Sequence, residues 1–377
     1  MTNYEAKELI RRYRSGNCSE KERQLVRDWY YNLADQKGEI PSDAEIEQAL
    51  KEVSASLPLV RTRRIPWRGI AAAFFALLVF SAGMYLLQKQ GPDSRFSGNI
   101  YKNEVAPGGN KAILELADGT VIDLNRVNIG QVSLRATKTR DDQVIWQAGQ
   151  AKAKTLTGRF NTIRTPRGGQ YQVVLPDGSG AWLNSASSIR FPAVFSDGER
   201  KVEITGEVYF EVVRKYQPSD TGEVVVPFIV MVNDQQIEAM GTAFNVNAYP
   251  DEGFVRTTLV EGSIKLWLPA GSGFRLLKEG EQAHITSAKL IAVNEADPEK
   301  AVAWKNGQFQ YEMDGIATIM RQVERWYDVE VIYEGAVPEK KFVGTISRDI
   351  PLSKFLDILS YTGVNFRIEG RKIVVIS

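Results

Sequence analysis

The hydrophobic pattern changes period three times along the chain. Over residues 1–60 the apolar positions fall three and four apart, as on one face of a helix. Leu9, Ile10 and Tyr13 mark a first helical face. Leu25, Val26, Trp29, Tyr30 and Leu33 mark a second, and Ile46, Ala49, Leu50 and Val53 a third. Each helix has a start signal in which a hydroxyl and a glutamate three residues on satisfy one another's backbone N–H groups. The pairs are Thr2 with Glu5, Ser19 with Glu22 and Ser42 with Glu45. A three-helix domain of this size has a marginal core of its own. Either it is self-contained, or the aromatic second helix keeps apolar surface for a partner helix.

From Gly69 to Gln88 the periodicity disappears, and no formal charge interrupts GIAAAFFALLVFSAGMYLLQ. At about 1.5 Å per residue such a helix matches a bilayer's hydrocarbon core. Arg61, Arg63, Arg64 and Arg68 precede it, and only Lys89 and Arg95 follow closely. This asymmetry predicts a cytoplasmic N-terminus and an outer C-terminal region. Gly69 and Ala73 have small-residue helix-contact spacing. Ser81, Ala82 and Gly83 make a soft place in the helix, where poor helix formers favour intramembrane cleavage.

After a tether over 89–100 the period becomes two. Short alternating runs divided by turn dipeptides predict an all-β region over 101–292. Asp118-Gly119, Asp177-Gly178 and Asp197-Gly198 supply the positive φ values of tight hairpins, and their aspartates are read as turn residues. PGGNKAILELADGTVIDLN (107–125) resembles RGGQYQVVLPDGSGAWLN (167–184), so a β-hairpin unit is repeated. The clearest strands are 201–204, 208–212, 228–232, 244–248, 257–260 and 264–268. Past Pro298 the pattern mixes periods. Strands are expected at 308–312, 329–333, 341–346, 364–368 and 373–376. Asp314 is expected to cap a helix through Tyr327 with Ile316, Ile319, Met320, Val323 and Trp326 inward. Pro351 is expected to open a second helix with Leu352, Phe355, Leu356 and Leu359 inward. The fold class is therefore a multidomain membrane protein: a small all-α cytoplasmic domain (1–60), a basic linker (61–68), one transmembrane helix (69–88), an all-β periplasmic domain (101–292) and a C-terminal α+β domain (303–377).

Composition narrows the chemistry. A net charge of +1 over 377 residues argues against a general nucleic-acid binder. Cys18 is the one cysteine, so no disulfide forms within the chain, and His284 is the one histidine, so a histidine-rich zinc site is excluded. No phosphate loop, dinucleotide fingerprint, nucleophile elbow or HExxH motif is present. No cofactor or metal is expected, and the protein is not expected to be an enzyme. One local reaction stays open at Gly241-Thr242 in AMGTAFNV. A threonine hydroxyl can attack the preceding carbonyl in a strained turn, giving an N-to-O acyl shift and self-cleavage. The preferred alternative is an ordinary Gly-Thr entering a strand.

Several segments carry a resemblance. TPRGGQYQVVLPDGSGAWLNSASSIRFP (165–192), VEITGEVYFEV (202–212), PFIVMVN (227–233), MGTAFNVNAYPDE (240–252) and TTLVEGSIKL (257–266) resemble FecR-family transmembrane anti-sigma factors of the Bacteroidetes type. Residues 303–335 and 351–375 resemble that family's C-terminal module, which is similar to the secretin/TonB short N-terminal domain. The resemblance implies an inner-membrane protein with a cytoplasmic N-terminus. It would hold an extracytoplasmic-function sigma factor and receive a signal from a TonB-dependent outer-membrane transporter. Leu25, Val26, Trp29 and Leu33 are the expected sigma contact. Some family members are cleaved at a Gly-Thr, which here is Gly241-Thr242. An anchored envelope protein whose β domain binds a glycan or another envelope protein is the alternative, but it needs no folded cytoplasmic domain.

Overall fold

Strand Arg200–Glu211 is the spine on which the β region is built. The computed structural model describes residues 100–147, 159–196, 198–219, 222–267, 273–286 and 290–376. The helices expected over 1–60, with Leu25, Val26, Trp29 and Leu33, and the span expected over 69–88, with Ser81, Ala82 and Gly83, lie outside them. Among the described residues the chain is mostly strand, and no helix is long and apolar enough to cross a membrane.

The spine belongs to two sheets. Its first half pairs antiparallel with Ser188–Pro192 and parallel with Phe228–Val232. Its second half pairs antiparallel with Gly180–Leu183 and Ala243–Ala248. The switch falls at Gly206, whose φ is +75° and whose added Cβ would lie 2.5 Å from the Ser187 hydroxyl. Only glycine meets both demands without strain. In the first half Val202 and Ile204 point inward and Lys201, Glu203 and Thr205 outward. Beyond Gly206 both faces are buried. One run of paired strands goes from Val121–Asp123 to Phe274–Leu277, the other from Gly130–Gln131 to Leu290–Glu295, and the strands they share join them into a closed barrel. Between them lies a core that includes Leu114, Ile163, Val173 and Phe191. Phe210 stacks on Phe244 at 5.2 Å and tilts against Phe228 at 5.8 Å. Each such side chain stabilises the fold by roughly 1.5–3 kcal/mol through burial.

The repeated hairpins are real, and they also meet. Gly109 and Asn110 of the first copy pair in parallel with Gly169 and Gln170 of the second. Asp118 and Asp177 each accept the backbone N–H two residues on, at 2.9 and 3.1 Å, and Gly119 and Gly178 take positive φ. Asp177 does more than turn the chain. Its carboxylate receives Arg200 at 2.7 Å, with both side chains 1% exposed. Arg200 also donates to the Val213 and Val226 carbonyls, so both of its terminal nitrogens have buried acceptors, while its Nε has none among the described residues. Asp197 lies outside the described residues.

The C-terminal module contains helices α1 (Pro298–Val302), α2 (Ile316–Tyr327) and α3 (Leu352–Ser360). The expected inward faces of α2 and α3 are buried, from Ile316 to Trp326 and from Leu352 to Leu359. Asp314 does not cap α2. The preceding strand extends through Gly315, which occupies the cap position with no side-chain bond. A register shift around Met313, at φ +58°, turns the Asp314 carboxylate back to accept Lys300 and the Glu312 N–H. The module's main sheet is ordered Ile100–Tyr101, Asn365–Glu369, Lys372–Ile376, Glu330–Glu334, and Gln308–Gly315 pairs separately with Lys341–Ser347. Residues 100–105 thus pack on the far end of the chain.

Candidate functional site at the joint between the domains

The β region and the C-terminal module belong to one compact unit. A polar cleft of about 340 Å³ lies where they meet. Its floor is a closed ring of hydrogen bonds drawn from five separate segments. Glu207, on the spine just after the Gly206 switch, accepts from the Asn184 and Asn245 side-chain amides at 2.7 and 2.9 Å. The Asn245 carbonyl oxygen accepts from the Trp304 indole N–H at 3.2 Å. Arg348 donates to the Trp304 backbone carbonyl and to Asn184 Oδ1, both at 2.9 Å, which closes the circuit. Asn184, Glu207 and Asn245 come from the β domain. Trp304 follows α1, and Arg348 follows the strand Lys341–Ser347.

Electrostatics fixes this ring in place. Arg348 is 2% exposed and its guanidinium lies 3.8 Å from the Trp326 ring centroid. Burial pushes its pKa down to about 10, so it still carries its charge at neutral pH, near buried Glu207. The Trp326 indole N–H donates back to the Arg348 carbonyl at 2.8 Å. A second contact flanks the ring. Arg325 of α2 covers the Tyr249 ring at 3.9 Å and reaches Asp251 at 2.7 Å and Glu252 at 3.2 Å. Burial pushes the Glu252 carboxyl up, but hydrogen bonds and charge from Arg321, with Arg325, overcome it and hold the group below its ordinary value. The joint therefore has two polar clamps across one interface. Arg348, Asn184 and Glu207 form a continuous hydrogen-bonded path from the C-terminal module to the spine strand.

His284 stands at the cleft rim, stacked on Phe254 at 4.8 Å and hydrogen-bonded to Gln282. Burial, aided by the Arg256 charge, lowers its pKa. Gly241 and Thr242 connect strands Gln235–Ala239 and Ala243–Ala248. Gly241 has φ +95°, and an added Cβ would lie 2.8 Å from Arg214 Cβ. Thr242 is buried, and its hydroxyl has no hydrogen-bond partner among the described residues. Its γ-methyl would meet a Cβ on Gly262 at 2.8 Å, so the peptide is packed between Arg214 on one side and Gly262 on the other. Arg214 Nε donates to the Met240 carbonyl, and the Thr242 carbonyl accepts from Val212.

The ring escapes a search for chemical motifs, because its members are ordinary polar residues far apart in sequence. Two signals were nonetheless present. Glu207 puts a charge on the inward-facing stretch of VEITGEVYFEV, and Asn184 ends the repeated Leu-Asn pattern.

A FecR protein model matches residues 161–265, and a FecR C-terminal model matches residues 308–375. The chain belongs to the FecR family. The first match holds Asn184, Glu207, Gly241, Thr242 and Asn245, and the second holds Arg348, so the joint links the two matched regions. Two crystal structures from Parabacteroides distasonis ATCC 8503, each of a provisionally assigned anti-sigma factor, are similar to this chain. One is 27% identical with TM-score 0.50, covering 57% of this chain and 97% of the other. The second is 26% identical with TM-score 0.51, covering 58% and 99%. No curated protein matches.

Proposed function

We propose that the protein is a signal-transducing anti-sigma factor of the inner membrane. The observation that carries this reading is the pairing of a FecR region with a FecR C-terminal region, locked together by the Glu207–Asn184–Arg348–Trp304–Asn245 ring. The N-terminal helices hold an extracytoplasmic-function sigma factor through Leu25, Val26, Trp29 and Leu33. Residues 69–88 cross the membrane once, with the N-terminus in the cytoplasm. The outer region receives its signal from a TonB-dependent transporter, and its C-terminal module is the receiving surface. Release of the sigma factor ends in cleavage within the span near Ser81, Ala82 and Gly83. A strain lacking the chain should misexpress a small gene set. The full chain should restore it, and a chain without residues 1–60 should not. An unchanged transcript profile would sink the proposal.

A second reaction is supported by the Gly241-Thr242 peptide. The Thr242 hydroxyl adds to the Gly241 carbonyl carbon, the C–N bond breaks, and the Thr242 amine takes up the hydroxyl proton. Water then hydrolyses the ester, leaving a Gly241 carboxylate and a new Thr242 N-terminus. What supports it is a buried Thr242 hydroxyl without a partner among the described residues, next to the carbonyl of Gly241, whose positive φ sets the peptide in a bend. Appearance of a fragment beginning at Thr242 tests it directly.

A further inference from the structure

Ile100 and Tyr101 form an edge strand on the C-terminal sheet, in parallel register with Arg367 and Ile368. The Lys102 N–H continues the ladder to the Ile368 carbonyl. Asn103 makes a two-way pair with the Gly370 backbone, donating at 2.9 Å and accepting at 2.7 Å. Glu104 accepts from the Ser353 N–H and hydroxyl at the first turn of α3, where a carboxylate also meets the helix dipole. Val105 is 5% exposed within the module's core, and its carbonyl accepts from Leu352 at the start of α3. The Tyr101 hydroxyl donates to Asp357 on α3 at 2.8 Å. Five successive residues thus each have a fitted place.

We propose that this seat is a binding site for an extended peptide, occupied in cis by residues 100–105 and exchangeable for a segment of another chain. The pattern it selects is aromatic, two polar, acidic, aliphatic, as in Tyr101-Lys102-Asn103-Glu104-Val105. A ladder, a helix-capping carboxylate and one apolar anchor are the means by which sheet edges recognise peptides. The cis segment is weakly integrated. Its ladder is two residues long on a five-residue strand, and its Lys102–Glu369 ion pair is solvent-exposed. The module keeps its remaining strands, both long helices and a core around Trp326 and Phe355 without it. Displacement frees six residues, roughly 20 Å of extended chain, between the β region and everything N-terminal to residue 100. This inference does not depend on the anti-sigma reading.

Hydrogen exchange of the full chain tests the exchangeable seat. Amides of 101–105 should open about 100-fold more often than those of Lys372–Ile376, yet stay protected relative to the free peptide. Equal protection in the two segments would make 100–105 core and overturn the proposal, and no protection would deny the seat. A full chain carrying Tyr101→Ala and Val105→Asp should bind a labelled peptide of residues 98–107 at least about tenfold tighter than the unaltered chain does. The same peptide with aspartate at its Val105 position should not bind. Failure of a folded variant to capture the peptide would overturn the site, and the exchange measurement decides the matter if the variant does not fold.

Discussion

Arg348→Met is the sharpest perturbation of the joint. The methionine keeps much of the side-chain volume and removes the charge and all five N–H donors. Lost are the bonds to the Trp304 carbonyl and to Asn184 Oδ1, and the stacking on Trp326 at 3.8 Å. Two charge-assisted bonds are worth roughly 1.5–3 kcal/mol each and the stacking about 1–2 kcal/mol. Against this stands the relieved desolvation of the guanidinium, several kcal/mol by itself. Glu207, 9% exposed, is then left without its nearby positive charge. The balance is a loss of about 3 kcal/mol, at the low end for removing one member of a buried charged set. At about 2–4 °C per kcal/mol for a unit of this size, the melting temperature falls by roughly 6–12 °C. Calorimetry of the full chain reads the shift, and a cycle with Asn184→Ala reads the coupling, expected above about 1 kcal/mol. A loss below about 1 kcal/mol, or strictly additive effects, would refute the ring as the link between the domains.

Four further outcomes follow from the same account. Because burial and Arg256 lower the His284 pKa, the unfolded chain binds a proton at higher pH than the folded one. Stability should therefore fall as pH drops below about 6.5, and His284→Gln should flatten that part of a urea-midpoint profile. Thr242→Val should abolish any fragment beginning at residue 242 on an immunoblot while leaving the melting temperature nearly unchanged, since the lost hydroxyl makes no bond. Trp29→Ala should weaken sigma-factor binding by about 2 kcal/mol or more in a titration, and an unchanged affinity would move Trp29 out of the interface. Replacing Ser81, Ala82 and Gly83 with leucine should block release of the N-terminal fragment, and a fully responsive variant would remove the span from the mechanism.

The elements were legible where local pattern decides them. Inward faces of α2 and α3 could be read residue by residue, because an amphipathic helix places its apolar positions by a fixed period. The repeat and its Asp-Gly turns were equally local. Tertiary contacts decided the rest. Nothing near Gly206 announces that one strand serves two sheets, and Ile100 pairs with residues more than 260 positions away. Asp314 has the composition of a helix cap, but Lys300 and a register shift in its strand claim its carboxylate first. Gly241-Thr242 stood out from its chemistry alone, whereas the Arg348 ring becomes visible only when five segments are brought together.

Holding a sigma factor is the role proposed for the chain. The direct measurement is affinity purification of the full chain from its native cell in mild detergent, with the bound proteins identified by mass. A small sigma factor should be recovered in near-equal amount and lost on Trp29→Ala. Recovery of envelope proteins alone, from a chain shown to be folded, would contradict it.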